Sequence, residues 1–331
     1  MTQTTRPATP DDMPRLVELL MLDAEARQAE DAILWKLADD APAQIEKALT
    51  FALTADGQPF RQFWHVAEDG DQITGVIHAM MFPVPPIYAG SFGEPGLILP
   101  DSFLATDAPS GTAEGLLAAA ENALHEAGAR IKLASHVAGE VWRTAFEANG
   151  YEPLTLYLSR SELGDQGMPP GVRQATEDDV PGVVARSVEN RQVLFDIDPF
   201  WETHPDADPR FSAWMTRSLT LRDRDMMVLG ASEDLQGYII AQPASRLHFP
   251  PAHDITETGV IDDYYHPELA NPAELDQGSE GSHALLRAAE AAFVNRGMGA
   301  AFVVCPAGWT SKIEVLEAAG YEIAMVWSIK R

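Results

Sequence analysis

Residues 6–20 read RPATPDDMPRLVELL, and residues 173–187 read RQATEDDVPGVVARS. Arg6, Ala8, Thr9, Asp11, Asp12, Pro14 and Val17 return as Arg173, Ala175, Thr176, Asp178, Asp179, Pro181 and Val184, at one constant offset. Farther on, FEANGYE at 146–152 returns as LEAAGYE at 316–322. Between these segments Leu116, Leu117, Glu121 and Gly128 return as Leu285, Leu286, Glu290 and Gly297. Chance similarity does not keep its order over three segments, so the chain is a tandem duplication. The seam is SELGDQGMPPG at 161–171, rich in Gly and Pro and without periodicity, which is linker chemistry. The expected division is a first unit at 1–162, a linker at 163–170 and a second unit at 171–331.

Both halves carry the same order of elements. A short strand leads into a helix whose N-cap is Thr9 or Thr176, with acids in the first turn facing the positive helix end. A polar helical stretch follows, at about 25–53 and 191–220. Next is a hairpin, turning at EDGD (68–71) and at SED (232–234). A further strand precedes a long helix at 112–127 and 282–296, with Gly128 and Gly297 as its C′ stops. The runs ARIKLAS and AAFVVCP read as buried strands, and EPLTLYLSR and EIAMVWSIK close the two halves after another helix. The expected fold class is α/β: two tandem units, each a mixed, mostly antiparallel sheet with helices on both faces.

Composition narrows the partners. There are 23 Lys and Arg against 50 Asp and Glu, a formal charge of -27. Such a field repels nucleic acid and anionic lipid and draws in cationic amines. The single cysteine, Cys305, forms no intrachain disulfide and reads as a buried apolar thiol. No apolar run approaches the ~18 residues of a membrane span. The opening MTQTTRPATPDDM has no basic segment followed by an apolar one. The expectation is a cytoplasmic protein that binds neither nucleic acid nor membrane, with a homodimer left open. HPDADPRF at 204–211 has no ligand spacing for a metal, and none is expected.

This order of elements, with these phrases, resembles the GNAT superfamily of acyl-CoA-dependent N-acyltransferases. The carrying residues are the R-x-A-T-x-D-D openings, Asp69-Gly70 and Gly75-Val76 with Gly237-Tyr238-Ile239 in the hairpins, VIDDYYHPE at 260–268, and GYE after the last helix of each half. The resemblance implies acetyl-CoA as co-substrate. Its pantetheine arm would lie along a strand edge, here Phe103 and Leu104. Its pyrophosphate would rest on backbone amides where the long helix begins, an anion site because those amides lack internal partners. In the first half the loop is Ala108-Pro109-Ser110-Gly111-Thr112-Ala113, whose Gly-x-Ala part is intact but whose basic first residue is missing. In the second it is Gln277-Gly278-Ser279-Glu280-Gly281-Ser282, where Glu280 replaces the first glycine and would repel a phosphate. A one-residue shift puts Gly281 in that slot. The first half is therefore the expected cofactor site, with Gly278, Gly281 and Ser282 as the second candidate. The plainer reading of Ser110 and Thr112 is ordinary helix capping.

The resemblance also implies a carboxylate base near the fourth strand and a tyrosine acid in the last helix. The acid's place falls to Phe146 and Leu316, which have no proton to give. For the base, strand alternation puts Asp262, Tyr264 and His266 on one face, with Asp263 and Tyr265 on the other, so Asp262 and His266 are expected to share a cleft. The first half offers Asp101 and His136, the latter at the end of a strand that opens toward the ligand side of such sheets. The expected activity is transfer of an acetyl group from acetyl-CoA to the amine of a small, cationic acceptor, by direct attack in a ternary complex. The alternatives are a catalytically degenerate relative that binds CoA or a small molecule or acts as a scaffold, and an acyltransferase with a hydroxyl, peptide or protein acceptor.

Overall fold

The computed structural model describes residues 4–137, 140–164, 167–275 and 278–331. The first half runs β1 (Thr4–Pro7), α1 (Met13–Glu30), α2 (Ala41–Thr54), β2 (Gln62–Asp69), β3 (Gln72–Met81), β4 (Gly96–Ile98), β5 (Phe103–Leu104), α3 (Thr112–Glu126), β6 (Lys132–Val137), α4 (Glu140–Ala148) and β7 (Glu152–Ser161). The second runs β8 (Val172–Gln174), α5 (Val180–Ile197), α6 (Ala207–Ser218), β9 (Asp225–Ala231), β10 (Asp234–Pro243), β11 (Thr258–Ile261), β12 (Tyr264–Tyr265), α7 (Glu280–Asn295), β13 (Ala300–Pro306), α8 (Thr310–Ala318) and β14 (Glu322–Lys330). Among the described residues no helix is long and apolar enough to cross a membrane.

The repeated opening motif has a structural cause. Arg6 grips Asp12 with two bonds of 2.7 and 2.8 Å, and Arg173 grips Asp179 with two of 2.7 Å. Asp12 also accepts from the Thr9 amide and hydroxyl, as Asp179 does from Thr176. The second acid of each motif thus ties the first strand to the helix start, with the guanidinium matching the carboxylate in a planar fork. These pairs hold Asp12 at about 2 and push Asp179 below the usual carboxylate range, the arginine hydrogen bonds being the largest cause.

The two units share one sheet. Its strands run β1-β2-β3-β4-β6-β14-β7-β13-β11-β10-β9-β8, with β5 added on β3 and β12 on β10. The parallel strands β6 and β7, joined through α4, are not neighbours, because β14 lies between them, antiparallel to both. The parallel strands β13 and β14 are likewise separated by β7. Each half leaves a one-strand gap that the other half's last strand fills. A lone half would expose two unpaired strand edges inside its own sheet.

The cores follow this exchange. Leu156 and Leu158 of β7 pack into the second half's apolar cluster with Val303, Val315 and Leu316. Met325, Trp327 and Ile329 of β14 pack with Leu97, Leu133 and Leu154 of the first half.

Two long loops also cross over. The loop after β3 meets the segment after α5: Ala89 N donates to Glu202 O at 2.7 Å and His204 N to Ile87 O at 2.9 Å. The loop after β10 meets the segment after α1 in the same way: Ala38 N donates to Ala252 O at 2.9 Å and Asp254 N to Lys36 O at 2.8 Å.

Leu158 is fully buried in β7 yet belongs to the second half's core. Leu158→Ala should cost about 2–5 kcal/mol, as for a buried large-to-small change. Hydrogen exchange should show lost amide protection in α7 and β13. Loss confined to residues 4–161 would contradict the inserted pairing.

Candidate functional site

The two long-helix starts differ. At α3, Gly111 adopts φ +89°, a left-handed turn that a Cβ would strain. Thr112 Oγ1 donates to Pro109 O at 2.6 Å, and the first helical bond runs from Gly115 N to Gly111 O at 3.0 Å. No side chain caps this end, and the amides of Ala113 and Glu114 find no acceptor among the described residues. Such a helix start attracts an anion.

At α7 the corresponding amides are taken. The Glu268 carboxylate accepts from Gly281 N at 3.1 Å, from Ser282 N at 2.9 Å and from Ser282 Oγ at 2.9 Å. The His266 ring fills the space beside Gly281, where an added Cβ would lie 2.4 Å from Nε2. His266 Nδ1 accepts from Glu268 N at 3.2 Å. The second half therefore carries its own anion in the phosphate position. Glu280, the acid singled out by its place in the loop, is exposed as the first residue of α7. Gly278 is exposed at φ +84°, and Gln277 lies outside the described residues.

The strand gaps differ as well. Parallel pairing of β4 with β6 stops at Ile98–Ala134, after which residues 99–102 diverge before β5 rejoins β3. His136 follows on β6, buried, with Nδ1 unpartnered and its ring 5.8 Å from Phe146. Burial, helped by Arg143, pushes His136 down to about 4, so its ring is neutral near pH 7. Trp142 Nε1 donates to Ser102 O at 2.9 Å at the lip of this gap.

In the second half pairing stops at Ile261–Val303. There α8 and the residue before it lay two side chains across: Lys312 Nζ donates to Tyr264 O and Trp309 Nε1 to Leu269 O, both at 2.9 Å. Lys312 is buried against the Tyr264 and Trp309 rings, 5.0 and 4.8 Å from their centroids. Cys305 occupies the place of His136, and burial pushes its thiol up to about 12.

The interior behind the gaps is filled in one half and hollow in the other. In the first, Arg27 bonds Asp23 at 2.5 Å, donates to Pro100 O, and sits over the Trp35 ring. Burial pushes Asp23 up to about 6 against the pull of Arg27. Asp101 accepts bonds of 2.8 and 3.0 Å from His78 Nδ1, and Trp64 stacks on that imidazole at 3.9 Å. Phe249 and His253, from the loop after β10, close the space against Trp35 at 5.1 and 5.3 Å.

In the second half a cavity of about 580 Å³ remains, with Asp262 and Asp263 both in its wall. The alternation expected from an unbroken strand fails here, because residues 262 and 263 lie between β11 and β12 rather than in a strand. Asp262 and His266 accordingly do not share a cleft: Asp262 faces the cavity and His266 covers the start of α7. Glu268 closes the run VIDDYYHPE, but nothing in that run marks it as the partner of a helix start, and Lys312, Trp309 and the Asp23–Arg27 pair carry no motif at all.

The Glu268 bonds give a pH-dependent prediction. Burial alone would raise its pKa, but the Ser282 and Gly281 amides and the Ser282 hydroxyl outweigh burial and lower it. A lowered folded pKa contributes stability above the unfolded value of about 4.3 and loses it as pH falls through the folded value. Glu268→Gln should destabilise by about 1–3 kcal/mol at pH 7 in urea unfolding. The difference from the parent protein should shrink toward zero at acid pH, and a pH-independent difference would contradict the helix-start contact.

No family model and no curated protein matches the chain. Solved structures do. A GCN5-related N-acetyltransferase from Sphaerobacter thermophilus superposes with a TM-score of 0.54 at 14% identity, over 99% of this chain and 95% of that one. A tandem GNAT protein from the clavulanic acid biosynthesis pathway, solved without AcCoA, superposes with a TM-score of 0.50 at 15% identity, over 99% of this chain and 98% of that one. With its duplicated order of elements and its diverging strands beside each long helix, the chain has the GNAT fold, in a tandem of two units.

Proposed function

We propose that the protein is an acyl-CoA-dependent acyltransferase whose cofactor lies in the first half and whose acceptor is a small amine. The observation that carries this reading is the contrast between the helix starts: the amides of Ala113 and Glu114 in α3 find no acceptor among the described residues, whereas those of Gly281 and Ser282 in α7 are satisfied by Glu268. Acetyl-CoA would place its pyrophosphate on the turn from Ser110 through Ala113, with Gly111 allowing close approach. Its pantetheine arm would follow Phe103 and Leu104 into the gap where β4 leaves β6. It supplies the thioester carbon that the amine attacks.

The chain's own groups do the rest. Asp101, oriented by His78, is the carboxylate in the diverging segment and takes the proton of the incoming ammonium. The neutral His136, with Nδ1 unpartnered in the gap, offers a polar contact to the reacting group rather than a base for an ammonium. As the carbon–nitrogen bond forms the carbon–sulfur bond breaks, and the thiolate leaves without an acid, because Phe146 stands where a proton donor would. The charge of -27 draws cationic acceptors toward the molecule.

A second reading is favoured by the filled interior. Arg27 reaches Pro100 O and Trp142 bonds Ser102 O, so neither side of the first half's gap is as open as the second half's cavity. On that reading the protein binds acyl-CoA without transferring the acyl group.

Saturating acetyl-CoA should raise the melting temperature by several degrees, since ligand at 100 times its Kd adds about 2.7 kcal/mol. Ser110→Glu, which puts a carboxylate at the same helix start without the φ strain of Gly111, should abolish the shift. A shift that persists in Ser110→Glu, or no shift at millimolar ligand, would sink the first-half site. Release of free thiol with a panel of primary amines, lowered about 100-fold or more by Asp101→Asn, would establish transfer. A melting shift without thiol release would leave the second reading.

A further inference from the structure

The second half's cavity has no place in that scheme, because Lys312, Trp309 and Glu268 close the half's own route for an acyl donor. It is nevertheless built from both halves. Tyr88 and Phe92 come from the loop after β3, Trp201 and Trp214 from the second half's helical face, and Tyr157 and Trp327 from the two inserted strands. Its volume of about 580 Å³ lies within the range of small-molecule sites.

The two carboxylates of its wall have no directly paired cation among the described residues. Asp262 accepts from Gln242 Nε2 at 2.7 Å and from its own backbone amide, and Asp263 from Tyr238 Oη at 2.5 Å and Asn190 Nδ2 at 3.1 Å. Every one of these donors is neutral. Among the described residues no Lys, Arg or His nitrogen lies within 4 Å of either carboxylate.

The cations of the wall make their hydrogen bonds elsewhere and act on the two carboxylates only at longer range. Lys312 bonds Tyr264 O, Arg191 bonds Asp208 at 2.6 Å, and Arg210 bonds Pro86 O at 2.7 Å. Asp262 is exposed and Asp263 half-buried, and both line the cavity, so their remaining lone pairs are open to a bound donor. Polar atoms of the wall are also left without partners, and they belong to side chains more than nine-tenths buried. They are Asn190 Oδ1 (7% exposed), Trp327 Nε1 (6%) and an Arg191 Nη (3%).

We propose that this cavity is a binding site for a primary amine carrying an aromatic or apolar body, which it retains without acylating. An ammonium has three N–H donors and no acceptor, and Asp262, Asp263 and the free Asn190 Oδ1 supply three acceptors. The aromatic wall receives the apolar body and adds cation–π attraction. Because both halves line the cavity, its occupant bridges the loop after β3 and the two inserted strands. The assignment stands without the acyltransfer reading.

The test is calorimetric titration of the full chain with two matched pairs, 2-phenylethylamine against 2-phenylethanol and tryptamine against tryptophol. At least one amine should bind about tenfold or more tighter than its alcohol, the difference expected for a charged hydrogen-bonded group. Asp262→Asn and Asp263→Asn should each weaken that amine about tenfold while changing alcohol binding little. Equal affinity for amine and alcohol in the parent protein overturns the proposal without recourse to any variant. So does the absence of amine binding at millimolar concentration, or unchanged amine affinity in both variants. Acetyl-CoA is absent throughout, so failure here is distinct from failure at α3.

Discussion

Two strands hold the molecule together by each sitting in the other half's gap. β14 pairs with β6 through six register positions, from Met325–Val137 to Lys330–Lys132. β7 pairs with β13 through seven, from Ala300–Ser161 to Pro306–Thr155. In both halves a strand–helix–strand crossover leaves space for one antiparallel strand, and the last strand of the other half fills it. The pairing fixes β6 and β13, and with them the points where β4 and β11 diverge. It also puts Tyr157 and Trp327 in the cavity wall. The candidate sites therefore depend on contacts that neither half makes alone.

Within that shared frame the halves have diverged in complementary directions. The first keeps open amides at the start of α3 but fills its interior with Trp35, Phe249 and the Asp23–Arg27 pair. The second keeps a hollow interior but seals its helix start with Glu268 and its strand gap with Lys312 and Trp309. Each sealing group replaces something chemically similar to a ligand: a carboxylate for a phosphate, and side-chain N–H groups for a donor along the strand edge. Duplication relaxes the demand that both copies bind the same molecule, and the two interiors bear the physical mark of that freedom.

Much of the fold was legible in the sequence. Arg6 and Asp12 recur with fixed spacing because a two-bonded ion pair demands both residues at that separation. Gly128 and Gly297 stop their helices at φ +102° and +76°, conformations that favour glycine. The strand insertion was not legible. EPLTLYLSR and EIAMVWSIK are both apolar and alternating, so either satisfies either gap, and only the three-dimensional crossover decides. The candidate site was read in part. The free start of α3 follows from Gly111 and the local chain. Glu268 reaches α7 from across a twelve-residue excursion, and attention falls instead on Glu280, its neighbour in the loop. The cavity, assembled from both halves, leaves no linear trace.

The central physical claim is that reciprocal strand insertion makes the two units one cooperative structure. Differential scanning calorimetry tests it most directly. The 331-residue chain should unfold in a single transition whose calorimetric and van't Hoff enthalpies agree. Two resolved transitions, or a calorimetric enthalpy about twice the van't Hoff value, would show that the halves fold separately and contradict the shared sheet.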